Sequence, residues 1–135
     1  MSLTASARMI PGTLRSDVLV DGRFHLVTDE PEVLGGEGSA PAPHELFPAA
    51  LASCVATTLV MYARQKGWEL GDVEVAVDYD HLSTPRRFAI EIRLGAELAP
   101  EQLRRLEKVA AACPVRRAVE NGVVFEERLE TAALV

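Results

Sequence analysis

Two cysteines stand where a thiol could do chemistry, Cys54 in Phe47-Pro-Ala-Ala-Leu-Ala-Ser-Cys54-Val-Ala and Cys113 in Val-Ala-Ala-Ala-Cys113-Pro-Val-Arg116-Arg117-Ala. A thiol attacks as thiolate, and its pKa falls at a helix N-terminus or beside a cation. Cys113 directly precedes Pro114, which disfavours helical geometry at the residue before it and suits the first position of a new helix, so Cys113 is placed like an N-cap. Cys54 lies within an uncharged run, where the local backbone offers no such help. A group distant in sequence must stabilise its thiolate, and arginine suits because it stays charged and presents a planar fork of donors. A carboxylate would hold that fork. The two settings predict a pair of thiols brought together by folding, one to attack and one to resolve. The competing reading is inert packing, since free cysteine is among the most buried residue types.

The elements that must position these thiols are legible in outline. Residues 12–20 and 23–28 carry partly alternating apolar residues around Asp21-Gly22, which predicts an opening hairpin with a type I′ turn. Residues 29–43 hold Gly and Pro enough to predict a loop, within which Gly35-Gly36-Glu37-Gly38 reads as a flexible turn. It lacks the Lys-Ser/Thr of a phosphate loop and the strand-to-helix setting of a dinucleotide fingerprint. Helical structure is predicted from Pro43 to about Lys66, closed by Gly67. Residues 72–80 alternate strictly, with Val73, Val75, Val77 and Tyr79 on one face, and residues 88–94 repeat the pattern as an antiparallel partner. Pro100 opens a second helix with Leu103, Leu106, Val109, Ala110 and Cys113 along one stripe. A short helix follows Pro114, ended by Asn121-Gly122, and residues 123–129 are expected to form a final strand.

With 135 residues, 48% of them hydrophobic, the chain has the size of one domain, residues 1–135, with a core that needs no staples. The formal net charge of −6 offers no basic footprint for nucleic acid or an anionic membrane. The N-terminal residues do not read as a secretory signal, so a cytoplasmic setting is expected, where a permanent staple is disfavoured and a cycling thiol pair or two free thiols remain. The uncharged run 47–63 is shorter than the ~20 residues a membrane span needs and reads as a buried core helix. A helix apolar on nearly all sides needs cover on all sides, which predicts dimerisation. The three histidines are widely spaced, and two lone cysteines make no paired zinc motif.

The segment Pro43-His-Glu45-Leu-Phe-Pro-Ala-Ala-Leu-Ala-Ser-Cys54, taken with Cys113-Pro-Val-Arg-Arg-Ala, resembles the osmotically inducible protein C and organic hydroperoxide resistance superfamily. The opening hairpin, Gly-rich loop, two long helices and strand pair fall in the same order. The resemblance implies an α+β fold with antiparallel sheets wrapped around two long core helices, in an intertwined homodimer. It implies a thiol peroxidase acting on organic hydroperoxides, with Cys54 as the attacking thiolate and Cys113 resolving the sulfenic acid to a disulfide. A lipoylated protein or small dithiol would be the reductant, and no metal or organic cofactor is required. Arg23, in Asp-Gly-Arg23-Phe, is similar to the early arginine of the hydroperoxide-resistance branch, with Arg15 its nearest competitor; Glu45 matches the family glutamate by spacing and would orient that arginine. In one straight helix Glu45 and Cys54 would face opposite ways, which Pro48 eases by beginning a second helical segment after a bent first turn.

Two other classes compete. One is a non-enzymatic dimeric stress or ligand-binding protein with buried thiols. The other is a disulfide oxidoreductase, for which the chain lacks the Cys-x-x-Cys arrangement. A cysteine hydrolase would need a histidine base, for which His44 is the local candidate.

Overall fold

The computed structural model describes residues 2–132. Its order is β1 (Ala5–Met9), β2 (Ser16–Val20), β3 (Phe24–Thr28), two short 3-10 turns (Glu32–Leu34 and Pro43–Glu45), α1 (Leu46–Lys66), β4 (Val73–Asp80), β5 (Arg87–Leu94), α2 (Pro100–Ala111) and α3 (Pro114–Asn121). The chain divides into two compact units, one from the residues up to Ala52 together with Ala76–Glu91, the other from Ser53–Val75 and Ile92 onward.

In the first unit β1, β2 and β3 form an antiparallel sheet in that order, with Val20 opposite both Ala5 and Phe24. Asp21 and Gly22 both take positive φ, and the Arg23 N–H donates to Val20 O, as the Asp-Gly signal requires. Strand β1 carries no sequence signal of its own, because Ala5–Met9 lacks alternation and is exposed throughout.

The loop after β3 is gathered around one carboxylate. Asp29 is fully buried, and its carboxylate accepts from the N–H groups of Glu30 (2.8 Å), Glu37 (3.3 Å) and Ser39 (3.0 Å) and from Ser39 Oγ (2.6 Å). These bonds, that from the Ser39 hydroxyl foremost, hold its pKa down at about 2. Gly36 sits where a Cβ would lie 1.9 Å from Glu30 O, so the wrap around Asp29 closes only without a side chain there. Gly36→Ala is therefore expected to lower the melting temperature by roughly 5 °C or more, read by differential scanning calorimetry. Because the folded pKa of Asp29 lies below its ordinary value of 3.8, its contribution is complete above that value and is lost as pH falls through about 2. Asp29→Asn should remove that acid-limb dependence.

Helix α1 follows the 3-10 turn Pro43–Glu45, so the bend expected at Pro48 falls three residues earlier and Pro48 occupies the first turn of α1 itself. At its end Gly67 takes φ +71° and the Trp68 N–H reaches back to Ala63 O, a glycine-terminated stop. Leu51, Val55, Leu59 and Ala63 are buried at successive four-residue steps, while Met61 is 60% exposed. Counted from Pro43 to Lys66, the helix reaches 24 residues and has the length and composition to cross a membrane, longer than its uncharged run suggested. The buried stripe is that of a core helix.

β4 shows the expected alternation, with Val73, Val75, Val77 and Tyr79 half-buried, and pairs with β5. The second unit draws its core from Val55, Leu59 and Ala63 of α1, from Leu70, from Leu106 and Ala110 of α2, and from Cys113. Arg105 Nε donates to the Tyr62 hydroxyl at 2.8 Å, tying α2 to α1. Two expectations are corrected. The second helix is not long: α2 spans 12 residues and yields to α3 at Cys113-Pro114, with Leu103 at its start exposed. Residues 123–129 form no strand; Val124 and Phe125 are 91% and 84% exposed, because a strand needs a ladder partner and this segment finds none among the described residues. The fold is α+β, with antiparallel sheets and one long core helix.

Candidate active site

The second unit brings the two cysteines together. Cys54, in the ninth position of α1, is half-buried, and Cys113 is fully buried; both are free thiols. Cys54 neighbours Cys113 closely enough to act on its ionisation. Cys113 has extended backbone geometry (φ −62°, ψ 140°) ahead of Pro114, as the residue order predicts, and its Sγ accepts the Arg116 N–H at 3.4 Å as the N-cap of α3. Burial pushes the Cys113 thiol above its ordinary value, against the lowering effect of the Arg116 N–H, with the neighbouring Cys54 thiol raising it further. Two neighbouring thiols can lose two electrons and two protons to become a disulfide. The Arg116 guanidinium pairs with Glu120 at 3.4 Å.

Both arginines expected near a thiolate lie in the first unit, as does the glutamate. Arg23 Nε pairs with Asp21 at 3.3 Å, and its guanidinium lies 4.5 Å from the centre of the Phe24 ring, on an exposed turn. Arg15 is different. Its Nε is buried with no hydrogen-bond partner, and leaving a buried donor unpaired costs about 1–3 kcal/mol. Glu45 is exposed and closes its own 3-10 turn, Oε1 accepting from the Ala42 N–H at 2.9 Å while its N–H donates to Ala42 O.

Sequence reasoning missed a cleft of about 460 Å3 in the first unit, lined by Glu45, His44, Tyr79 and His81 together with Glu30 and Leu34. His44 meets Tyr79 and His81 edge to face, with ring centres 5.5 and 5.1 Å apart, and Tyr79 stacks on Phe88 at 4.4 Å. Only the inward position of Tyr79 on β4 hinted at it. The Asp29 wrap fixes one wall, since Glu30 follows Asp29 directly. Among the described residues no three His, Cys, Asp or Glu side chains converge as metal ligands.

Comparison with known proteins agrees with this arrangement of elements. The family described as OsmC-like protein matches residues 36–128, a span that includes both cysteines and Glu45. No curated protein sequence matches the chain. Among solved structures, an osmotic stress induced and detoxification response protein of Psychrobacter arcticus is 26% identical, covering 87% of this chain and 88% of its own, with a TM-score of 0.72. An organic hydroperoxide resistance protein of Vibrio cholerae, solved with captopril in one of its active sites, is also 26% identical over 88% of this chain and 84% of its own, with a TM-score of 0.60. An OsmC-like protein of Mycoplasma pneumoniae shares the fold at 14% identity, with a TM-score of 0.73 over 89% of this chain and 88% of its own. With the family matched across more than half its length and the fold shared over most of it, the chain belongs to the OsmC-like protein family.

Proposed function

We propose that this protein is a thiol peroxidase that reduces organic hydroperoxides to alcohols. The observation that carries the reading is the neighbouring pair of thiols, Cys54 half-buried on α1 and Cys113 fully buried at the N-cap of α3. The Cys54 thiolate attacks the terminal oxygen of the hydroperoxide, the O–O bond breaks, and the alkoxide leaves and takes a proton to become the alcohol. Cys54 is then a sulfenic acid. The Cys113 sulfur displaces its hydroxyl as water and forms the disulfide, which an external dithiol, free or as a lipoyl group on a protein, returns to two thiols. Similarity to proteins named for organic hydroperoxide resistance supports this substrate class over hydrogen peroxide.

The thiolate and the developing alkoxide call for a guanidinium. Of the two candidates, Arg15 has a buried Nε without a partner, whereas Arg23 is engaged by Asp21 and Phe24. This favours Arg15 over Arg23 for the role, with Glu45 as its carboxylate partner through the oxygen that its own turn leaves unused. Arg15→Ala should lower kcat/KM for cumene hydroperoxide by roughly 100-fold and Arg23→Ala by less than about threefold; the reverse order would return the role to Arg23.

The working protein is proposed to be a homodimer. Apolar side chains at Phe24, Met61, Val124, Phe125 and Leu129 stand exposed on the single chain, a larger uncovered set than a monomer ordinarily carries. Sedimentation velocity is expected to give twice the chain mass, and Met61→Glu to weaken association.

A further inference from the structure

We propose that the cleft of the first unit, which neither cysteine lines, binds a small protonated organic amine, an ammonium group on a hydrocarbon body. Glu30 and Glu45 supply carboxylates to its lining, His44, Tyr79 and His81 supply rings, and the remainder, Leu34 among it, is apolar. No lysine or arginine contributes. An anion entering the cleft would meet two carboxylates with no cation to offset them. An ammonium ion meets acceptors and aromatic rings, both of which attract it. At about 460 Å3 the cleft has the volume of a small-molecule pocket.

The fold leaves the polar groups of this lining unused. Among the described residues the Glu30 carboxylate, the Tyr79 hydroxyl and the ring nitrogens of His44 and His81 make no hydrogen bond. Glu45 differs, since one of its oxygens accepts the Ala42 N–H and the other is the one proposed for Arg15, so the ammonium contact falls to Glu30. A primary ammonium group offers three N–H donors for acceptors of these kinds, and the apolar lining takes the hydrocarbon.

These groups are held in place before any ligand arrives. The Glu30 N–H donates to Asp29 at 2.8 Å and the Glu30 carbonyl accepts the Gly38 N–H at 3.0 Å, so the wrap around Asp29 fixes the backbone that carries the Glu30 side chain. Tyr79 is stacked on Phe88 at 4.4 Å and met edge to face by Phe47 at 5.3 Å. His44 packs edge to face on both Tyr79 and His81. A site built in advance loses less freedom on binding, which favours a ligand of few atoms.

The test is isothermal titration calorimetry of the reduced full-length protein with phenethylamine, phenethyl alcohol and hydrocinnamate, which present an ammonium group, a neutral hydroxyl and a carboxylate on similar bodies. At about pH 8 the amine is cationic, as a lysine side chain is. It should bind with Kd on the order of 0.1–1 mM, at least about tenfold more tightly than the alcohol or the carboxylate. Glu30→Gln should weaken the amine by about tenfold or more and leave the alcohol unchanged. Glu30→Lys should turn the preference toward hydrocinnamate, a gain that misfolding does not produce. Absence of amine binding up to about 10 mM, equal affinity for amine and alcohol, or an amine affinity indifferent to Glu30→Gln would each overturn the proposal. Nα-acetyllysine methylamide carries the same ammonium group as a protein would present it and should bind more weakly than phenethylamine; tighter binding would overturn the assignment to a free amine. The proposal does not rest on the peroxidase reading, and none of these measurements uses peroxide.

Discussion

Cys54→Ser is expected to abolish consumption of organic hydroperoxide, lowering turnover by at least about a thousandfold. Serine is nearly the same size and fits the half-buried position on α1, so the fold should survive. What is lost is the nucleophile: a hydroxyl is not ionised near neutrality, and no histidine base stands ready to activate it. His44, the local candidate for such a base, makes its contacts with Tyr79 and His81. The check is peroxide loss followed with cumene hydroperoxide and a dithiol reductant, beside circular dichroism of both proteins. Unchanged turnover would remove Cys54 from the reaction.

Cys113→Ser separates the two halves of the cycle. Because serine is close to cysteine in size and can still cap α3, the first oxidation should proceed at close to the native rate. Resolution cannot, and steady-state turnover should fall on the order of 100-fold, with the sulfenic acid on Cys54 accumulating. Stopped-flow measurement should show one equivalent of peroxide consumed per subunit and then a stall, and dimedone should label Cys54 in the variant but not in the native protein. Sustained turnover at the native rate would mean that an external thiol, not Cys113, resolves the intermediate.

What the sequence disclosed and what it withheld divide by the range of the interactions involved. Strict alternation identified β4, because Val73, Val75, Val77 and Tyr79 report their own burial. Gly67 marked the end of α1 through a conformation local to that residue. Cys113 could be placed at an N-cap because Pro114 constrains the residue before it, and the structure has Cys113 capping α3. Residue types alone motivate a meeting of Cys54 with Cys113, but 59 positions of chain separate them and only tertiary folding makes them neighbours.

The features that the sequence withheld have the opposite character. Asp29 looked like the start of a polar loop, yet its carboxylate gathers N–H groups from residues up to ten positions later, and no composition rule registers that. Residues 123–129 have the apolar content of a strand, but a strand is a property of two segments, and among the described residues this one has no partner. Arg23 and Arg15 differ in what surrounds their side chains rather than in what flanks them, a difference no motif registers: Arg23 pairs with Asp21, and the buried unpaired Nε is on Arg15. The cleft at His44, Tyr79 and His81 joins a 3-10 turn to β4 and left no local trace beyond one inward tyrosine.

The most direct test of the dithiol cycle is intact mass and free-thiol count of the reduced protein before and after one equivalent of cumene hydroperoxide, with hydrogen peroxide in parallel. Loss of both thiols with a mass lower by two hydrogens, faster with the organic peroxide, is the predicted result. Survival of both thiols at unchanged mass would contradict the account.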